Sequence, residues 1–479
     1  REKVNEHLLA SKFNIDSDEI TLLTANAEAI EGSNQEYRIL LDYVSTTDLS
    51  NDENFDFVRE QVDIKNYALY QATEIFFGNF DWPGSNIKYW KQTEGKWRWI
   101  LYDLDQAFGR LATTANYDIN SLDSALEENG PEWPNPPWAT LFFRNLMENV
   151  SFRNDFINRY ADELNTRFLP EQVKAHFDTI SESIQSELDA HFARWEGDPS
   201  EQQFYVNEMK NWAYHRPAIA KQQIMVQFQI PAFHNLNILN EDLSAGYVKV
   251  NDNLKILDEN WNGDYFETVP IQLKAVAELG YMFSHWTGAS SSTEPLISLS
   301  LENNISITPH FVPAVNNDLL VINEINYNSA DELNPDDWIE LYNPNEAFID
   351  ISAWMIKDEN DDNVYSFPSG TLIEAKSYLV ITKDGSAFRA AYPDITYFVG
   401  DLGFGLGGGG DAVRLFNDDD ILQDIVVYQD SLPWPNCADG FGPTLELKSP
   451  ELDNSLPENW KCINTFGSPG LENTNSSGT

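Results

Sequence analysis

Cysteine, histidine and positive charge are all scarce in this chain. Its 479 residues include two cysteines, seven histidines, and 30 Lys plus Arg against 77 Asp plus Glu. Two cysteines, Cys437 and Cys462, cannot frame a disulfide scaffold or a zinc site. A single bridge between them fits an exported protein, and low cysteine use otherwise fits either compartment. The formal net charge of −47 repels the phosphates of nucleic acid and of anionic lipid, so neither is an expected partner. Such acidity suits salty surroundings and loose calcium binding, although a plainly solvated surface is the simpler reading. No apolar run reaches the roughly 18 residues of a membrane span. The start at Arg1 rather than Met, and the polar tail from Asn473 to Thr479, read as those of a fragment, in which a missing signal peptide is uninformative.

What is present supports packed cores: 42% of residues are apolar and 13% aromatic. The length suggests roughly two to four domains. Composition changes near Ile230. Before it, helical spacing dominates, with Val58, Val62, Leu69, Ala72, Ile75 and Phe76 spaced roughly by three, four or seven across Phe55–Phe77. Further helices are expected over Trp138–Asn149, Phe152–Phe168, Glu171–Trp195 and Gln202–Phe228. Ser151 is a candidate N-cap and Pro170 a first-turn proline. Ile87–Lys91 and Lys96–Tyr102, joined by Gln92-Thr-Glu-Gly95, read as a β-hairpin.

After Ile230 the pattern becomes short alternating strands, as in Tyr247–Val250, Ile271–Ala275 and Ile305–Thr308. From Leu319 onward, Leu320–Tyr327, Asp337–Pro344, Ile349–Trp354, Ser377–Thr382 and Asp411–Phe416 recur with turn residues between them, which predicts a β-sandwich. The glycine run Gly403–Gly410 lacks the Lys-Ser/Thr of a phosphate loop and reads as a turn before a strand. The acidic clusters Asp358–Asp362 and Asn417–Asp420 lack EF-hand spacing. They are expected to be solvated turns, with Ca2+ kept as an alternative.

The chemistry-bearing stretch is Asn79-Phe-Asp81-Trp-Pro-Gly-Ser-Asn86, followed by the hairpin and then Tyr102-Asp103-Leu-Asp105. An Asp and an Asn five positions apart, then an Asp after an apolar strand, is the order in which a protein kinase places its catalytic and metal-binding groups. Phosphoryl transfer needs one carboxylate beside the attacking hydroxyl and oxygen ligands for a divalent cation. A tight turn on Pro83-Gly84 would aim Asp81 and Asn86 into one cleft. Alternation of Trp97, Trp99 and Leu101 would deliver Asp103 at the strand end, with Asp105 on the same side of an extended chain.

These residues also carry a resemblance. Asp63-Ile-Lys-Asn-Tyr67, Asn79–Trp90, Lys96–Asp105 and Phe108-Gly109 resemble the spore coat protein H (CotH) kinase family, with looser fits at Arg1–His7, Glu31–Ser33, His215–Pro217 and Ile224–Phe228. The resemblance implies an atypical kinase fold using ATP and Mg2+, or Mn2+, to phosphorylate a protein of the cell or spore exterior. By position, Asp81 would be the catalytic Asp, Asn86 a metal ligand and Asp103 the metal-binding Asp, with Asp105 the alternative. No His-Arg precedes Asp81. The resemblance further implies that Arg1 sits at the hinge between kinase lobes, so the phosphate-anchoring Lys would lie upstream. Lys65 and Lys88 are candidates that spacing does not support. Residues 1–479 alone are therefore expected to hold metal poorly and to phosphorylate nothing.

Two further resemblances follow. Gly280-Tyr-Met-Phe-Ser-His-Trp286-Thr-Gly288 is similar to internalin B-repeats of bacterial surface proteins, in which His285 would be a strand residue beside a core Trp. Ile322-Asn-Glu-Ile325, Trp338–Asn343, Gly408–Leu415 and the trailing Leu445–Gly470 resemble the lamin-tail domain. That domain implies an immunoglobulin-like fold with a binding or anchoring role. The expected fold class is multidomain α+β: a mainly helical kinase C-lobe with a small hairpin over 1–230, a small β spacer over 231–315, and an immunoglobulin-like β-sandwich over 318–475. The expected product is an exported or cell-surface kinase docked to envelope or matrix by its β-domains. A non-enzymatic adhesion scaffold with a degenerate lobe is the rival, and carbohydrate binding through exposed tryptophans a weaker third.

Overall fold

A computed structural model describes residues 3–13, 15–108, 116–128, 135–195, 198–314, 320–330 and 332–473. Arg1, Glu2, Gly109, Leu319 and the expected boundaries at 315, 318 and 475 lie outside them. The chain divides into two compact units. The first holds Arg1–Leu239, Val248–Lys274 and Thr287–Thr308, and the second Asn240–Tyr247, Ala275–Trp286 and Pro309–Thr479.

In the first unit, α1 (Glu6–Phe13) precedes β1 (Ile20–Thr24), β2 (Glu28–Glu31), α2 (Gln35–Thr46), α3 (Asp52–Gln61) and α4 (Ile64–Phe77). Next come β3 (Lys88–Gln92), β4 (Arg98–Ile100), α5 (Ser121–Leu126), α6 (Pro137–Leu146), α7 (Val150–Leu164), α8 (Pro170–Trp195) and α9 (Pro199–Phe228). The expected hairpin is β3–β4, with Tyr89 opposite Trp99. It belongs to a larger sheet of order β2-β1-β3-β4. β1 escapes a search for alternation because Leu22 and Leu23 are both buried.

Three local expectations are corrected. Phe55–Phe77 is two helices, broken at Val62-Asp63. There Trp97 N–H donates to the Gln61 carbonyl at 2.9 Å and Asp63 N–H to the Trp97 carbonyl at 3.0 Å. The apolar period runs on across the break because Val58 and Val62 are both buried. The N-cap of α7 is Asn149, whose Oδ1 accepts from Phe152 N–H at 3.1 Å, and Ser151 lies inside the helix. The Trp alternation ends early: Trp97 and Trp99 are buried while Leu101 is 43% exposed.

An aromatic cluster fills the space between sheet and helices. Tyr67 meets Trp99 edge-on at 4.4 Å, Tyr37 lies 4.4 Å from Tyr89, and Phe142 lies 5.3 Å from Tyr67. Such pairs add about 0.5–1.5 kcal/mol each beyond the area they bury. Asp162 of α7 is fully buried and accepts from Tyr265 Oη at 2.7 Å, Asn251 Nδ2 at 3.0 Å and Asn253 Nδ2 at 3.1 Å. In this unit Phe233–Leu239 pairs antiparallel with Asn260–Phe266, and Ile305–Ile307 runs parallel to Leu236–Ile238.

In the second unit, Trp286 is buried and its neighbour His285 stacks on His310 at 4.7 Å. Beyond it stands a β-sandwich. One sheet has six strands in the order Phe398–Gly400, Tyr378–Thr382, Trp338–Tyr342, Val321–Asn326, Leu445–Leu447 and Trp460–Lys461. The facing sheet is Val364–Ser366, Met355–Lys357, Gly410–Phe416 and Leu422–Gln429. Ile322, Ile339, Leu379 and Leu445 from the first pack with Ile356, Val413, Leu415 and Val426 from the second. Of the strand expected over Ile349–Trp354, only Ile349-Asp350 is extended, and a turn separates it from Met355. Cys437 and Cys462 are bridged.

The first acidic cluster is a turn with Glu359, Asn360 and Asp362 exposed, as expected, but it is anchored at its two other residues. Asp358 is buried, and Arg414 donates through Nε to its carbonyl at 2.7 Å and through Nη1 to Asp361 at 2.7 Å. In the second, Asn417 Oδ1 accepts from Asp419 and Ile421 N–H groups while Lys357 reaches Asp420 at 3.3 Å. The glycine run is a turn, held by Gly407 N–H donating to Asp411 at 2.8 Å. Among the described residues eleven tryptophans are buried, and so are not available to a sugar-binding platform.

Candidate functional site

The site begins at the end of α4. That helix is capped by Asp63, which accepts from Asn66 N–H at 2.9 Å. Asn66 in turn pairs with β4 as a strand would: its Oδ1 accepts from Trp99 N–H at 2.6 Å and its Nδ2 donates to the Trp99 carbonyl at 3.2 Å. The helix stops at Gly78, with φ +58°, where a Cβ would lie 2.8 Å from Ile119 and 2.9 Å from Trp212. Only glycine meets both demands.

The last-turn carbonyls of α4 are fully matched. Gly78 N–H serves Glu74 at 3.0 Å and Phe108 N–H serves Phe77 at 2.9 Å. Arg216 of α9 supplies the other two, donating to Ile75 at 2.9 Å and Phe76 at 2.8 Å. The buried guanidinium also complements the negative end of the helix dipole.

The loop after α4 is laid over Glu74. Burial pushes this carboxyl up to about 8. Asn79 Nδ2 donates to Glu74 at 3.0 Å, and Asn79 Oδ1 accepts from Asp81 N–H at 3.4 Å. Phe80 N–H donates to the Gln106 carbonyl at 3.1 Å, which ties the Asp81 loop to the segment after β4. Within the loop Ser85 N–H closes a turn on the Asp81 carbonyl at 2.8 Å, across a cis Trp82–Pro83 bond.

Asp81, Asn86 and Asp103 meet at this end of the hairpin. Asn86 Nδ2 lies 3.4 Å from both Asp81 Oδ2 and the Asp103 carbonyl. Asn86 and Asp103 both adopt φ +57°. Asn and Asp tolerate this left-handed region, and side chains held there often serve a site. Burial raises the pKa of Asp81, and the charges of Asp105 and Asp103 raise it further. Asp105 therefore belongs to the same field, although it is exposed and sits in a turn. The expected extended Asp-x-Asp geometry is corrected, because the left-handed Asp103 bends the chain away from a two-residue repeat.

The donors are hard oxygens, which suit a divalent cation that keeps its waters and takes phosphate oxygens. Among the described residues no group of three or more His, Cys, Asp or Glu side chains is arranged to hold a metal ion. An ion at this site would need Asn86, which offers Oδ1 in place of Nδ2 by a half-turn of its amide. The same finding leaves the acidic turns of the second unit without a calcium cluster among the described residues.

Of the two nominated lysines, Lys65 is paired with Asp252 at 2.9 Å. Lys88 opens β3 at the site, with Nζ 4.6 Å from the Tyr102 ring and donating to the Val4 carbonyl at 3.2 Å. Burial lowers its pKa, as does the charge of Lys3, while Asp103 acts in the opposite sense. A cavity of about 40 Å³ beneath Trp82 and Pro83, lined by Tyr37, Tyr67, Tyr70 and Tyr89, belongs to the aromatic core and is too small for a nucleotide. Sequence reasoning missed the positioning roles of Asn66, Glu74, Asn79 and Arg216. Asn66, Asn79 and Arg216 stood inside quoted motifs, but their partners are distant in the chain.

Comparison with known proteins finds two family matches. Residues 3–220 match the CotH kinase protein family and residues 313–430 match the Lamin Tail Domain. A search of curated proteins finds no match. The crystal structure of a DUF4876 family protein from Bacteroides thetaiotaomicron aligns over 51% of this chain and 95% of its own, at 11% identity and a TM-score of 0.21. At that score the likeness supports no argument about fold. The chain carries a CotH kinase domain followed by a lamin tail domain.

Proposed function

We propose that the first domain transfers the γ-phosphoryl group of ATP to a hydroxyl of an extracellular or envelope protein. The observation that carries this reading is the meeting of Asn86 with Asp81 and Asp103 across two separate chain segments, each contact at 3.4 Å. In this reading Asp81 orients the acceptor hydroxyl and takes its proton, a role helped by the upward shift that burial and its acidic neighbours impose. Asn86 and Asp103 hold a divalent cation, with Asp105 the alternative to Asp103. Magnesium, or manganese, would supply charge neutralisation of the nucleotide phosphates. Nearly all else the lobe contributes is positioning: Asn66 fixes α4 to β4, Arg216 and Gly78 end the helix, and Glu74 with Asn79 shapes the loop.

The Cys437–Cys462 bridge supports an oxidising, extracellular location. The lamin-tail sandwich supports a docking role beside the kinase domain. It equally motivates the second reading, a surface scaffold whose kinase lobe does no chemistry.

The test uses the complete reading frame with γ-labelled ATP and either Mg2+ or Mn2+, following label into the protein itself and into envelope proteins. Label in the wild type that disappears in Asp81→Ala and Asp103→Ala is the expected result. No label with either metal, together with ligand binding confined to residues 231–479, would overturn the kinase reading in favour of the scaffold.

A further inference from the structure

We propose that Lys88 is the side chain of this lobe that contacts a phosphate group at the Asp81–Asn86–Asp103 site, with Lys3 as a second positive charge beside it. The inference rests on the phosphotransferase reading above and adds a cation to it.

Position is the first argument. Lys88 follows Asn86 by two residues and opens β3, while its cross-strand partner Ile100 precedes Asp103 by three. Both strands of the hairpin therefore bring their functional ends to one place. The ammonium lies 4.6 Å from the ring of Tyr102, the residue before Asp103. Its hydrogen bond to the Val4 carbonyl at 3.2 Å holds the segment that carries Lys3 against the same edge.

Charge is the second argument. A ring face and a peptide carbonyl are neutral partners, so they orient the ammonium without cancelling its charge. Lys65, by contrast, meets a carboxylate at 2.9 Å. In a chain with 77 acidic and 30 basic residues, a lysine in this position stands out from an acidic background. Asp103 attracts cations and Lys88 attracts anions. A metal-chelated polyphosphate presents both charges, and a bare metal ion presents one.

That asymmetry gives the test its sign. Titration calorimetry on the complete reading frame would measure Mn2+ alone, Mg2+ with ATP, and Mg2+ with tripolyphosphate. The proteins are the wild type, Lys88→Gln, Lys88→Arg and Asp103→Asn. Removing the positive charge should weaken both phosphate ligands by about tenfold or more. It should tighten Mn2+ alone by about twofold, because a repelling charge has gone. Lys88→Arg should keep most phosphate affinity, and Asp103→Asn should weaken metal and metal–phosphate alike. Unchanged phosphate affinity in Lys88→Gln would overturn the proposal. So would parallel weakening of Mn2+ and phosphate in that variant, which would mark Lys88 as merely structural. Binding of tripolyphosphate without ATP would overturn the kinase reading while the Lys88 comparison still decides this one. Binding of neither by the wild type would overturn both.

Discussion

Arg216→Ala should loosen the end of α4 and the Asp81 loop that follows it. Arg216 is wholly buried and donates to four carbonyls: Ile75 at 2.9 Å, Phe76 at 2.8 Å, Tyr117 at 3.0 Å and Ile119 at 2.8 Å. Two of these have a second donor. Gly78 N–H also reaches Ile75 at 3.3 Å, and Gln223 Nε2 reaches Ile119 at 3.0 Å. The Phe76 and Tyr117 carbonyls would depend on whatever water entered the space. Each buried carbonyl left without a partner costs about 1–3 kcal/mol. The lost stacking on Trp212, whose ring centroid lies 5.3 Å from the guanidinium carbon, adds to this. A total near 4 kcal/mol is expected, in the range of the most damaging single substitutions. Arg216→Lys should recover part of it, since one ammonium cannot span four acceptors set around a planar fork. Because two compact units need not unfold together, the assay should be local: hydrogen exchange by mass spectrometry on peptides covering residues 75–86. A loss of even 3 kcal/mol there speeds exchange roughly a hundredfold. The exposed pair Arg59–Asp56, 2.8 Å apart, provides a control, and Arg59→Ala should change little. If Arg216→Ala left exchange of 75–86 within threefold of wild type, the capping argument would be wrong.

Two further predictions concern buried groups. Burial raises Asp162 to about 7, above the 3.8 of an unperturbed Asp, so between these values the folded state binds more protons than the unfolded one. Stability from this group is therefore greatest below about pH 4 and falls as pH rises towards 7. Denaturation at pH 5 and pH 7.5 should show a larger loss in the wild type than in Asp162→Asn, and equal slopes would refute the assignment. The Cys437–Cys462 bridge closes a separation of 25 residues, and loop entropy suggests about 3 kcal/mol for it. Cys437→Ser with Cys462→Ser should lower the stability of the β-sandwich without altering exchange in residues 75–86. A change in both would contradict the division into units.

Much of this protein was legible in the chain because local chemistry specifies it. The Asp81–Asn86 spacing, the hairpin ending near Asp103, the proline that starts α8 and the short strands of the sandwich all follow from turn residues and apolar period. The same period misled at Val62-Asp63, where both helices share a core face and the break depends on Trp97, more than thirty residues away. β1 was illegible because its buried residues are consecutive, and its pairing with β3 joins Ile20 to Gln92, far apart in the chain. The acidic turn at Asp358 looked solvated because its counter-charge, Arg414, arrives from a different strand. At the site, the sequence by itself supplied the acidic side chains and the asparagine. Only the tertiary structure decided that Lys88 rather than Lys65 stands beside them, and that Arg216, Glu74 and Asn66 hold them in place. Period and turn chemistry act over a few residues. The partners that shape a buried helix end, a buried carboxyl or a cleft come from wherever the fold brings them.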